Sequence, residues 1–336
     1  MARLKYLTPF AFLALLPLGG RFGGAWTFLA AAATPLCLAG LDAIFGEDRG
    51  SATSERAPVS RWIPKLYIVL QLAANAWAAM LVANPATSLL EAMGLTLSAG
   101  VTTGVFGFVA AHEMIHSRDP RERGLGLALL GSVFYMHFRI AHVYGHHRRA
   151  ATRDDPATAR LGEGLYAFLL RSIVGQVREA WEFDAPRQHK RMIRYLVIEA
   201  AFLLAVALTG WRAFAFVIAT AFIAVALLES FNYVAHYGLE RRTRPDGRPE
   251  RLAPRHSWNS ARRMNNASLF NMGRHSDHHR RITQSYERLE PLSEESQLPS
   301  GYAAALLTAL VPPLWRRMMD PCAEAIAAEQ SLRETS

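Results

Sequence analysis

Cysteine is nearly absent from this sequence, with only Cys37 and Cys322 in 336 residues. That excludes a disulfide scaffold, a four-cysteine zinc site and an iron–sulfur cluster built from this chain alone. Charge is also scarce: 19% of residues are charged and 51% hydrophobic, a balance incompatible with intrinsic disorder. What charge there is leans one way, since 37 Lys and Arg against 28 Asp and Glu leave a net +9. Such an excess suits nucleic acid, a membrane surface or an acidic partner. No basic motif interleaved with aromatics accompanies it, which argues against nucleic acid. Internal repeats and low-complexity tracts are missing too.

The apolar residues are concentrated in runs. Leu66 to Leu90, Ala92 to Ala111 and Ala213 to Leu228 contain no charged residue. Shorter or interrupted runs lie at 6–20, 25–45 and 195–211. A helix crossing a bilayer needs about 20 mostly apolar residues. The pattern therefore predicts an all-α polytopic membrane protein with six spans, near 6–20, 25–45, 65–83, 92–112, 194–210 and 213–236. The chain 1–336 then reads as one integral-membrane unit, with polar portions 113–193 and 237–336 forming a helical cap. If the N-terminus is cytoplasmic, only Arg21 and Arg212 of the 37 basic residues fall on the outer face. The positive-inside rule then puts both termini and the cap in the cytoplasm, and explains the +9 as topogenic bias. Arg3 and Lys5 ahead of an apolar run also resemble a signal peptide, but no clear small-x-small cleavage site follows, which favours a retained first span. The segment 303–315 is apolar but broken by Pro312 and Pro313, and predicts an interfacial helix rather than a seventh span. Residues 241–255, rich in Arg and Pro, predict a surface loop.

Histidine is the residue in excess, at twelve. Nine fall at four places: His112 and His116; His142, His146 and His147; His236; and His275, His278 and His279. Spacings of three and four put histidines on one face of a helix. A lone buried histidine is usually a hydrogen-bonded core residue. Clusters of neutral imidazoles on one side of a membrane instead point to divalent metal, and nine ligands exceed one coordination sphere. His112-Glu113-Met114-Ile115-His116 is by itself the signature of a zinc protease, with Glu113 as base. That alternative leaves the other clustered histidines unused. An all-nitrogen, carboxylate-poor site suits redox iron, although spacing alone does not separate iron from zinc. Glu229, Asn232 and His236 recur at i, i+3 and i+7 on one stripe, and a carboxylate within a span is functional by default.

Further motifs surround these clusters. They are Gly145-His146-His147-Arg148-Arg149-Ala150-Ala151-Thr152, Asp155-Pro156-Ala157-Thr158-Ala159-Arg160-Leu161-Gly162-Glu163 and Asn232-Tyr233-Val234-Ala235-His236-Tyr237-Gly238-Leu239. Ser257-Trp258-Asn259-Ser260, Arg274-His275-Ser276-Asp277-His278-His279, Gln297-Leu298-Pro299-Ser300-Gly301-Tyr302 and Pro312-Pro313-Leu314-Trp315 follow. With them the chain, over residues 105–321, resembles the membrane-bound alkane 1-monooxygenases. These belong to the histidine-box superfamily that also holds xylene monooxygenases and membrane fatty-acid desaturases.

The resemblance implies a six-helix bundle with a cytoplasm-facing, nine-histidine site for two iron ions, and O₂ as co-substrate. Its ligands would be His112, His116, His142, His146, His147, His236, His275, His278 and His279. Glu229, Asn232, Asp277 and Glu113 would lie around them. His137 falls outside the boxes and could support the site, while His189 and His256 read as surface residues. Two positions depart from the family: Ala141 and Ala235 stand where it usually has glutamate. The implied reaction inserts one oxygen atom from O₂ into a terminal C–H bond of an alkane or alkyl chain drawn from membrane lipid. Aromatic-methyl hydroxylation, desaturation and decarboxylation are the alternatives at such a site. With no Cys-x-x-Cys pair in this chain, electrons would come from a separate rubredoxin or ferredoxin and its NAD(P)H-dependent reductase. Arg148, Arg149, Arg280 and Arg281 are candidates for its docking face. The implied location is the bacterial inner membrane.

Overall fold

The computed structural model describes residues 4–48, 50 and 60–335. Arg3, which flanks the first apolar run, lies outside them. The helices are α1 (Thr8–Phe22), α2 (Leu29–Phe45), α3 (Ile63–Ala83), α4 (Leu89–Ile115), α5 (Pro120–Gly131) and α6 (138–149). They continue with α7 (Leu165–Asp184), α8 (Lys190–Leu208), α9 (Trp211–His236), α10 (Arg263–Ser268), α11 (His275–Arg280), α12 (Tyr302–Ala309) and α13 (Pro312–Thr335). A two-residue parallel pair joins β1 (Trp258–Asn259) to β2 (Ser296–Gln297), and isolated bridges pair Glu47 with Arg262 and Thr243 with Pro249.

Among the described residues, four helical segments are long and apolar enough to cross a bilayer: Gly24–Phe45, Ile63–Ala83, Leu89–Ile115 and Trp211–His236. They coincide with four of the six expected spans. The helices at the other two positions differ for physical reasons. With 15 residues, α1 rises about 22 Å at 1.5 Å per residue, short of a ~30 Å hydrocarbon core. The first turns of α8 carry Lys190, Arg191 and Arg194, and Glu199 sits further along. Large apolar side chains face outward on helices of both kinds, among them Leu36 on α2, Met80 on α3, Phe222 on α9 and Leu208 on α8. Such an exterior suits lipid rather than water.

Close packing joins the helices that end at the histidines. A Cβ on Gly100 would lie 2.7 Å from Ile223, and one on Gly104 would lie 2.9–3.0 Å from Leu227 and Ala224. Small residues here let α4 and α9 approach backbone to backbone. After His236 the chain turns at Gly238, whose φ of 69° favours glycine. The C-terminal hairpin packs beneath that turn: Trp315 is fully buried against Tyr233 and Tyr237, and Tyr237 donates to Asp320 at 2.5 Å. The chain breaks at Pro312–Pro313, leaving Leu310, Val311 and Leu314 exposed, and α12 is too short for a seventh span.

Candidate metal centre

The nine clustered histidines converge, although they come from four separate stretches of chain. His112, His116, His142, His147 and His278 form one group, and His146, His236, His275 and His279 a second. Within each group one nitrogen per ring lies within 4.8 Å of all the others. His112 Nε2 is 2.8 Å from His142 Nε2, which is 3.0 Å from His147 Nε2. In the second group His275 Nε2 is 3.0 Å from His236 Nε2 and 3.1 Å from His279 Nε2.

Local helix geometry explains the sorting. In α4 and α11 the α-helical turn brings His112 beside His116 and His275 beside His279, four residues apart. Residues Ala141–His146 instead form a π-helical turn, in which residues five apart come together. His142 therefore pairs with His147, and His146 is handed to the other group. A second π turn, Thr103–Gly107, lies one to two turns before His112. For α11 the placement comes from Ser257-Trp258-Asn259: Asn259 Oδ1 accepts the Ser276 backbone N–H at 2.8 Å, and Trp258 Nε1 donates to the Tyr237 carbonyl at 2.8 Å.

The donor set fits metal. The Nε2 atoms of His112, His142, His147, His236, His275 and His279 face one another, and Nε2 of His146 and His278 is buried without a hydrogen-bond partner. Facing nitrogens 2.8–3.3 Å apart match the edges of a coordination sphere with metal–nitrogen distances of about 2.1 Å. Burial pushes His142, His147, His275, His278 and His279 well below the ordinary histidine range, and His116 down to about 3. Those rings are neutral at physiological pH, the form that binds metal.

His146 differs. Burial disfavours its charged form, but Asp155 holds it above the ordinary value. Its Nδ1 is 2.8 Å from Asp155 Oδ2, and Asp155 in turn accepts from Thr158 Oγ1 at 2.7 Å and from the Ala157 backbone. A carboxylate on the outer nitrogen fixes the tautomer and leaves Nε2 for metal. Nothing in the motif marks Asp155 for this role beyond its place as a carboxylate nine residues after His146. Glu179, raised to about 7 mainly by burial, lies against Gly145 and accepts from Arg149 at 3.2 Å. Ala141 and Ala235, where carboxylates were expected, are fully buried.

The remaining candidates are placed as follows. Glu229 is fully buried and accepts from Tyr135 at 2.8 Å, Ser172 at 2.6 Å, Gln176 at 2.7 Å and Asn232 at 3.3 Å. Asp277 is engaged by Arg281 and by the Glu290 backbone N–H at 2.9 Å. Glu113 accepts from the Tyr286 backbone at 3.4 Å. His137 is buried against Tyr135 but belongs to neither group. His189 stacks on Trp181. His256 is not a surface residue: it is completely buried, takes the Ala253 N–H on Nδ1 and meets Glu250 at 3.0 Å through Nε2. Its loop folds back on the ring, which is why an Arg- and Pro-rich stretch conceals a histidine.

Two cavities of opposite character reach the centre. A narrow apolar one, walled by Val105, Phe108, Val109, Phe138, Leu227 and Phe231, touches His112 and His142 of the first group and His275 of the second. A polar one of about 410 Å³ touches His116 and is lined by Glu113, Ser117, Glu122, Tyr286 and Arg288, among others.

A helical chain with outward-facing apolar surface and two buried imidazole groups defines a histidine-box membrane protein, and residues 86–306 match the family described as fatty acid desaturase. The alkane 1-monooxygenase of Acinetobacter baylyi is 37% identical over 83% of this chain and 72% of that protein. Alkane 1-monooxygenase 1 of Pseudomonas aeruginosa is 36% identical over 88% of this chain and 82% of its own length. The xylene/toluene monooxygenase hydroxylase component of Pseudomonas putida is 29% identical over 89% of this chain and 82% of that protein. The chain belongs to the alkane 1-monooxygenase family of oxidoreductases, within the fatty acid desaturase and hydroxylase superfamily.

Proposed function

We propose that this chain inserts one oxygen atom from O₂ into a terminal C–H bond of an alkane or alkyl chain. The co-products balance as one alcohol and one water from O₂, two electrons and two protons. The observation that carries this reading is the apolar pocket touching both histidine groups at once. A peptide would need polar partners along that wall, so a zinc protease fits poorly. The xylene/toluene relative favours a second substrate class, an aromatic methyl group, at the same site.

The five- and four-histidine groups each hold one iron in this reading. Bound iron supplies the redox chemistry that no side chain has, because an aliphatic C–H bond lacks useful acidity. The protein's own contribution is positional. Asp155 orients His146. Val105, Phe108, Val109 and Phe231 align the alkyl chain and exclude water. Glu229, held by four donors, fixes Asn232 at the pocket wall.

The membrane part comprises six spans in this reading, with α1 and α8 joining the four longer segments. The basic-residue count supports a centre on the cytoplasmic side, and the resemblance a bacterial inner membrane, in the same reading. Substrate then arrives from lipid, and electrons from a separate rubredoxin or ferredoxin and its NAD(P)H-dependent reductase. Arg148 and Arg280 are exposed for docking, whereas Arg149 and Arg281 are held by Glu179 and Asp277. The test is purified protein with rubredoxin, its reductase, NADH and a panel of alkanes, alkylbenzenes and fatty acids. Terminal alcohol from any alkane supports the reading; none from the whole panel, with metal bound, overturns it.

A further inference from the structure

Helix α7 is amphipathic in the inverse sense to a helix on a water-soluble surface. Its outward stripe is apolar: Tyr166, Leu170, Val174, Val177 and Trp181 are 57%, 74%, 48%, 41% and 41% exposed. Its inward stripe carries polar groups, with Ser172, Gln176 and Glu179 all buried. In water the outward stripe would lose most of what its burial is worth, about 25 cal/mol per Å² of apolar area.

Three observations say what covers it. The stripe is continuous with other outward apolar surface. At one end Tyr166 donates to the Leu310 carbonyl at 2.8 Å, next to exposed Val311 and Leu314. At the other, the short turn Ala185–Arg187 leads into α8, where Ile193, Leu196 and Val197 are exposed. The stripe also ends in amphipathic aromatics, Tyr166 and Trp181, which favour the headgroup level of a bilayer. Finally, Arg178, Arg187, Lys190 and Arg194 are exposed at this end of the helix pair, with no carboxylate partner among the described residues. A covering protein of this chain's own basic character would oppose them, whereas anionic headgroups match them.

We propose that α7 lies along the bilayer surface, with Tyr166, Leu170, Val174, Val177 and Trp181 bedded at the headgroup–acyl boundary of anionic lipid. This rests on the membrane placement given above. It also gives the helix two tasks, because Ser172 and Gln176 on its inner face hold Glu229. Lipid contact and the scaffold beside the apolar pocket are then opposite faces of one element.

Full-length protein in vesicles of phosphatidylcholine and phosphatidylglycerol tests this. In a Cys37→Ser, Cys322→Ser background, a nitroxide is attached at Leu170→Cys, Val174→Cys, Asp246→Cys or Phe222→Cys. Collision rates with dissolved O₂ and with a water-soluble nickel chelate are then compared. Asp246 lies in an exposed turn and Phe222 outward on α9. The expected result is an O₂-to-nickel ratio at 170 and 174 about 5-fold or more above that at 246, and below that at 222. Ratios at 170 and 174 equal to that at 246, with 222 still shielded from nickel, overturn the proposal alone. Nickel access at 222 as well overturns the membrane placement itself. Shielding at 170 and 174 from both reagents, with spin–spin broadening that fades on dilution with unlabelled protein, assigns the face to a second copy and also overturns the proposal.

Discussion

His142 and His147, five residues apart along a π turn, face each other Nε2 to Nε2 at 3.0 Å. His146, between them, points to the other group. Neighbouring ring nitrogens in one histidine box thus serve different groups, and substitutions should sort by group rather than by box.

Wild-type protein is expected to hold about two metal ions per chain and His147→Ala about one. Adding His278→Ala, in the same group, should cost little more metal. Adding His279→Ala, in the other, should leave almost none. His189→Ala should retain the wild-type content. Elemental analysis of purified protein reads all four. Equal loss in the two double variants would contradict the partition.

Asp155→Asn keeps the shape of the side chain but removes the charge on the outer nitrogen of His146. Metal affinity or activity should fall about 10–100-fold. Competition with a chelator measures it, and the loss should exceed that for Asp277→Asn, whose carboxylate faces Arg281 instead.

The apolar pocket gives a separable effect. Val105→Phe fills the wall at a position that is not one of the nine histidines. Oxidation of a long alkane should fall about 10-fold or more, while metal content stays at the wild-type level. Parallel loss of metal would mean that the wall supports the centre rather than the substrate.

Acid stability has a defined sign at the α7–α8 corner. Burial disfavours the charged form of Asp184, yet Arg191 and the backbone N–H groups of Arg191 and Met192 hold its pKa below the ordinary value. A depressed carboxylate stabilises the fold fully above its unfolded value of about 3.9, and the contribution disappears as pH falls through the lower folded value. Asp184→Asn should therefore cost about 1–3 kcal/mol at neutral pH. The gap in thermal unfolding between variant and wild type should hold down to about pH 4 and narrow below it.

Much of this protein is legible in its sequence, because the signals are local. Uncharged runs near 20 residues mark α3, α4 and α9, and the excess of histidine marks the centre. The boundary cases are α1 and α8, where length and charge leave the run short of a clear span. The burial of His256 is not legible in sequence, because whether a single histidine is buried depends on the fold of its loop. Asp155 carries no periodic signal, and its role follows only from its position beside His146. The inverted face of α7 was equally hidden, since mixed polar and apolar helices read alike until one knows which side faces inward.

The sequence by itself determined the family, the apolar runs and the identity of the nine histidines. Only the tertiary structure decided how those nine divide. His112 and His278 share a group across 166 positions of chain, with rings 4.5 Å apart, while adjacent His146 and His147 do not. Helical spacing is a property of one segment and fixes which side chains share its face. Assignment to one group or the other depends on how α4, α6, α9 and α11 pack, and on a π turn that shifts the pairing from four residues to five.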